Sequence, residues 1–217
     1  ASIDDNKKTA YDEAYIESLY EGFQNHEVDD SNLLKKLAVE WRGKEILILA
    51  PGSSIANQKQ VIETFIKEKK PIIISANFIS EIYYQDYVFC SNAMRYSAIE
   101  DKCNMGKLLV TSNLTDISGT NNILNYADLS LDDKGKCDNC VIMLMKLLYR
   151  VGIFKVYVAG FDGYQTKKCN YIDSYMTNQH TKGQEENIKN TGYVSDIRKK
   201  MEVVFLTKSI YDKTGES

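Results

Sequence analysis

A chain of 217 residues can hold one sizeable α/β domain, or a helical appendage followed by a domain of about 170 residues. Hydrophobic residues at 43% and charged residues at 26% are the proportions of a globular protein, which speaks against disorder and a membrane origin. The net charge is −3, with scattered lysines answered by acids, so no basic field is offered to a nucleic-acid backbone.

In chain order, Tyr11, Tyr15, Leu19 and Phe23 recur every four residues and predict an amphipathic helix over about 9–24. Asp29, Asp30 and Ser31 supply caps for a second helix carrying Leu33, Leu34, Leu37 and Trp41. Residues 1–43 thus read as an amino-terminal helical pair, a packing element rather than a site. From residue 44 a β/α pattern begins. The aliphatic run Ile46 to Ala50 predicts a strand over 45–50, followed by a helix over about 57–69 with Val61, Ile62, Phe65 and Ile66 inward. Further strands are expected over 72–76, 87–90 and 107–111.

A helix over about 139–151 is apolar on nearly every side and should lie buried on the sheet, with Gly152 as its stop. Strand 154–159 follows. The polar stretch from 165 to about 190 reads as a lid, because so long a loop inside a compact domain usually binds something. A closing helix with Tyr193, Val194, Ile197 and Met201, then a strand over 203–206, complete the domain. The pattern predicts an α/β, Rossmann-like, mostly parallel sheet flanked by helices, with residues 44–217 as the domain.

Three of the predicted strands end on small polar residues, and open parallel sheets bind ligands at that edge. The turn Pro51, Gly52, Ser53 and Ser54 lacks the lysine of a P-loop and the three glycines of a dinucleotide fingerprint. It offers Gly52 for close backbone approach and two hydroxyls beside a helix start, where N–H groups attract an anion; a serine-capped turn accounts for it equally well. Asn77 and Asn92 can each present an amide to a base, ribose or phosphate, or close their own turns. Asp162, after strand 154–159, could grip a ribose hydroxyl or its own turn, and it keeps a divalent metal open although none is required.

Five cysteines, of which only Cys137 and Cys140 are close, make neither a disulfide framework nor a four-ligand zinc site. Cys140 reads as a core residue at a helix start. His26 falls between the first two helices, and His180 falls mid-lid, where an imidazole could serve as general base. Tyr164 and Tyr171 flank the start of the lid, as packing at its rim or as donors to phosphate oxygens. No apolar run reaches membrane-span length and the first residues do not read as a signal peptide, so a cytoplasmic location is expected. The chain starts on Ala1 rather than Met, which points to processing or to a piece of a longer polypeptide.

The run Val156 to Gln165 (VYVAGFDGYQ), the spacer to Tyr171, the triplet Lys189, Asn190 and Thr191, and Val203 to Leu206 together resemble the second half of bacterial family 42 sialyltransferases. The turn at Pro51, Gly52 and Ser53 and the strand-end Asn77 and Asn92 match that family's layout. Similar architecture occurs in MptE-like proteins, which include archaeal pterin diphosphokinases. The stretch Phe23 to Ser31 and the APGSSI turn at 50–55 resemble carboxy-terminal regions of aldolase/HMG-CoA-lyase-like proteins of surface-polysaccharide clusters.

The resemblance implies a nucleotide-binding, glycosyltransferase-like domain acting on a CMP-sugar in bacterial surface glycan synthesis. Pro51, Gly52, Ser53, Ser54, Asn77, Asn92 and Asp162 would hold the nucleotide, and Tyr164 and Tyr171 would stabilise the departing phosphate. In the sialyltransferases a lid histidine is the base; alignment on Lys189 to Thr191 puts Asn187 there, and His180 is the remaining lid histidine. Two alternatives follow from the other resemblances: a non-catalytic module appended to an aldolase-type enzyme, possessing that enzyme as partner in the same polypeptide, and a pterin diphosphokinase. The sugar, the acceptor and any oligomeric state stay open.

Overall fold

A computed structural model of the protein describes residues 18, 21–23, 25–102, 104, 107–114, 117, 120–131, 138–165, 171–172 and 183–212. Of the predicted first helix, the described residues 18, 21–23 and 25 are helical. Helix α1 (Ser31–Trp41) begins at Asp30, and the exposed Asp29 carboxylate accepts from the Ser31 N–H at 3.0 Å. The Asp30 side chain instead points inward, where Arg150 grips both of its oxygens at 3.1 and 3.3 Å and the Asn125 N–H donates to it at 2.9 Å.

Among the described residues seven strands follow: β1 (Ile46–Leu49), β2 (Ile72–Ala76), β3 (Tyr87–Cys90), β4 (Leu108–Thr111), β5 (Ile123–Leu124), β6 (Lys155–Ala159) and β7 (Glu202–Phe205). Every pairing is parallel, in the order β5-β4-β3-β2-β1-β6-β7, so the fold is the expected α/β, Rossmann-like one. The chain walks outward from β1 to β5, then returns to lay β6 against the other side of β1. That reversal leaves a crevice at the carboxyl ends of β1 and β6.

Alternation explains the two layers. Ile46 and Ile48 join one buried cluster and Leu47 and Leu49 the other, as a two-residue period requires of a strand covered on both faces. Helix α2 (Ser54–Asn57) and helix α3 (Lys59–Lys69) lie on the second face, where Ile62 and Phe65 are buried. Val61 was expected inward but is 49% exposed, because the break at Gln58 sets the register of α3 around Ile62 and Phe65. Helix α4 (Ala93–Ile99) covers β3 and β4 on that face through Tyr96 and Ile99.

On the first face, α5 (Tyr126–Leu129), α6 (Cys140–Arg150) and α7 (Gly183–Arg198) pack together. Helix α6 buries Val141 through Met145, Leu147 and Leu148, as its apolar sequence predicted. Leu37 and Trp41 of α1 belong to the same cluster as the inner faces of β1, β2 and β3, and Trp41 meets Tyr87 edge to face at 5.3 Å.

Helix α7 corrects the predicted lid, since residues 183–190 are helical. The reason is burial: of its sixteen residues only Gly183, Asn190 and Val194 are buried, so no apolar stripe announces it. Glu185 and Glu186 at its start and Arg198 at its end complement the helix dipole instead. Residues 166–170 and 173–182, the remainder of that stretch, lie outside the described residues. No helix among the described residues is long and apolar enough to cross a membrane.

Candidate functional site

A cleft of about 200 Å³ opens at the carboxyl edge of the sheet. Its walls carry Pro51 and Gly52 after β1, Asn77 after β2, Asn92 after β3, Asp162 and Tyr164 after β6, and Tyr171. The parallel sheet alone explains the meeting, because strand ends that point one way deliver their following residues to one edge.

The turn after β1 is welded to the loop after β6. The Gly52 N–H donates to the Gly160 carbonyl at 2.9 Å, and the Ala50 N–H to the Ala159 carbonyl at 2.8 Å. A Cβ on Gly52 would stand 2.2 Å from the Gly160 oxygen and 2.7 Å from the Asp162 carboxyl carbon. Gly52 therefore lets two protein loops approach each other. Ser54 is buried and does not line the cleft: its N–H donates to Asp162 Oδ2 at 2.9 Å, and its hydroxyl bonds Asp162 Oδ1 and, at 2.8 Å, Thr207 Oγ1. Thr207 Oγ1 in turn accepts from the Gly160 N–H at 2.9 Å.

Burial pushes the Asp162 carboxyl above the usual carboxylate range, against the hydrogen bonds from Ser54 and Ser53 that favour its charge. A raised carboxyl binds its proton more tightly folded than unfolded. It therefore adds stability that is fully present below the unfolded value of 3.8 and is lost as pH rises through the folded value. In urea unfolding at a series of pH values, the stability of the wild type relative to Asp162→Asn should shrink as pH rises from below 4 toward neutrality; a constant or growing difference contradicts this assignment.

Asn77 sits at φ +60°, a left-handed conformation that asparagine tolerates, and its Oδ1 accepts from the Ser91 N–H at 3.0 Å. This leaves the NH2 end of the amide as the group that can reach a ligand. Asn92 caps α4, its Oδ1 accepting from the Arg95 N–H at 3.1 Å. Tyr171 pairs with Gly52 in a short antiparallel bridge, and the Ile172 N–H donates to the Pro51 carbonyl at 2.8 Å, so this segment straps over the β1 turn.

Asn187, which stands where the sialyltransferase resemblance would want a histidine, clamps a backbone. Its Oδ1 accepts from the Tyr164 N–H at 2.9 Å and its Nδ2 donates to the Tyr164 carbonyl at 2.8 Å. The buried Tyr211 hydroxyl donates to the same Oδ1 at 2.9 Å. His180 lies outside the described residues, as does Cys137. Cys140 is partly buried at the start of α6, with its thiol pushed well up by burial, which is inert chemistry.

Several cleft residues escaped the sequence reading. Arg95 reaches in from the first turn of α4, nine-tenths buried, with its guanidinium 5.7 Å from the centre of the Tyr171 ring. Its only sequence signal is its place three residues after a capping asparagine. Asn139 caps α6 from the cleft wall, accepting from the Val141 and Ile142 N–H groups at 3.0 and 3.3 Å. Asp138 beside it is held by the Tyr126 hydroxyl and, at 3.2 Å, the Leu131 N–H. Among the described residues no cluster of three or more His, Cys, Asp or Glu could hold a metal ion.

Among the described residues the cleft can offer amide and hydroxyl hydrogen bonds, one guanidinium and two carboxylates to a polar ligand. No family model matches the chain, and a search of curated proteins finds no match.

Proposed function

We propose that this chain is a nucleotide-binding, glycosyltransferase-like domain whose cleft takes a nucleotide or a CMP-linked sugar, in the cytoplasm of a bacterium and in the service of surface glycan synthesis. The observation that carries the reading is the convergence of Gly52, Asn77, Asn92, Asp162, Tyr164 and Tyr171 on one cleft at the point where the strand order reverses. In this reading the Asn77 and Asn92 amides hold the nucleoside, and Tyr164 and Tyr171 stand at the leaving phosphate. Transfer further needs a base. The Asn187 amide cannot accept that proton, and the sialyltransferase resemblance gives the role to a lid histidine, for which this chain offers His180.

The reciprocal bonds of Asn187 with Tyr164 favour a second reading, binding without transfer, as in a module appended to an aldolase-type enzyme. Isothermal titration with CMP, CDP, UDP and GDP tests the first step. CMP is expected to bind, and Asn77→Ala should weaken it roughly 5- to 10-fold, the worth of one hydrogen bond. Failure of all four to bind at millimolar concentration removes the nucleotide reading. CMP release from a CMP-sugar then separates the two: turnover above the buffer rate supports a transferase, and binding without release supports the appended module.

A further inference from the structure

We infer that the cleft is polarised, with the ligand's phosphate bound at the Arg95 end because the anion seat after β1 is already filled by the carboxylate of Asp162. This rests on the nucleotide-binding reading above and revises which way round its ligand lies: Tyr171, under the Arg95 guanidinium, stays with the phosphate, while Tyr164, two residues from Asp162, falls on the hydroxyl side. In open parallel sheets the turn after β1 commonly turns its N–H groups on a phosphate. Here the N–H groups of Gly52 and Ser54 have protein partners. The Ser54 N–H and hydroxyl hold the two oxygens of Asp162, and the Gly52 N–H holds the Gly160 carbonyl.

Asp162 thus occupies the place of the phosphate. Its carboxyl carbon lies 2.7 Å from where a Cβ of Gly52 would be, so no second anion fits between them. An incoming phosphate would also meet like charge in a partly desolvated site.

The opposite wall has the complementary sign. Among the described residues lining the cleft, Arg95 supplies the cationic side chain. The Asn92 cap fixes its backbone, and the guanidinium lies over the ring of Tyr171, which is itself bridged to Gly52. Asn77, at the end of β2, stands between the β3 side that carries Arg95 and the β1–β6 side that carries Asp162. A ligand with a phosphate at one end and hydroxyl donors at the other matches this order: phosphate on Arg95, hydroxyls of a ribose or sugar on Asp162. Asp138 also lines the cleft, but its carboxylate is held by Tyr126 and Leu131.

The test compares CMP, cytidine and inorganic phosphate on the full chain. Arg95→Met keeps an unbranched stem over Tyr171 and removes the charge. It should weaken CMP about 10- to 100-fold, as loss of a charge-assisted contact does, and shift cytidine by less than about 3-fold. Inorganic phosphate should raise the Tm of the wild type and not of Arg95→Met, while Arg95→Lys should recover part of both effects. Asp162→Asn should bind inorganic phosphate as well as the wild type or better.

Equal losses for CMP and cytidine in Arg95→Met overturn the proposal. So does loss of the phosphate response in Asp162→Asn with its retention in Arg95→Met. If no nucleotide binds but inorganic phosphate still stabilises the protein through Arg95, the nucleotide reading falls and the anion end stands. A wild-type protein indifferent to CMP and phosphate alike sinks both.

Discussion

Gly160→Ala should cost the protein about 2–5 kcal/mol of unfolding free energy, which is a large part of the stability of any single domain. Gly160 has φ +80°, a left-handed backbone that a Cβ makes unfavourable by about 1–2 kcal/mol. The added carbon would also stand 2.1 Å from the Ala50 carbonyl oxygen and 2.6 Å from Ile55 Cγ2. The first of these is backbone at the end of a central strand, so relief requires β1 and β6 to part. Overpacking of that kind costs about 1–3 kcal/mol more. A urea midpoint well below that of the wild type, with a Tm lower by roughly 4–20 °C, is the expected result. An unchanged midpoint would show that the weld between the two strand ends is looser than the geometry says.

Trp41→Ala is the second large effect, at about 3–5 kcal/mol, the usual range for truncating a buried tryptophan. Trp41 is fully buried, stacks edge-on to Tyr87 at the start of β3, and shares its cluster with Ile46, Ile48 and the buried residues of α6. Residues 30–41 therefore carry part of the sheet's own core. Thermal unfolding of the variant followed by tyrosine signal and by far-ultraviolet dichroism should show one transition at lower temperature. Two separate transitions, or a sheet indifferent to the substitution, would make the amino-terminal helices a detachable unit.

The strands were readable because they are buried on both faces: Ile46 to Leu49, Ile72 to Ile74 and Tyr87 to Cys90 are continuous apolar runs. Helix α6 was readable for the same reason. Strand β5, only Ile123 and Leu124, is too short to show any period, and its place at the sheet edge comes from pairing with Val110 and Thr111. Helix α4 spans seven residues between a capping asparagine and Glu100, which is below the length at which periodicity speaks.

The polar start of α7 reads as loop because Ile188 is its one aliphatic residue before Val194, and in the structure that side chain is 73% exposed. In the cleft, strand ends could be listed from sequence because a parallel sheet brings them to one edge. What each side chain does there could not. The reach of Arg95 across to Tyr171 and the capture of Ser54 by Asp162 depend on contacts between residues 76 and 108 positions apart, which no local pattern encodes.

The hydroxyl relay from Asp162 through Ser54 to Thr207 and on to the Gly160 amide joins the ends of β1, β6 and β7 beneath the cleft. A visiting molecule meets a floor whose rotamers are frozen before it arrives. The ordering entropy of association then falls on the visitor itself. Stiffening a ligand in its bound shape should accordingly improve residence time more than decorating it with groups aimed at that floor.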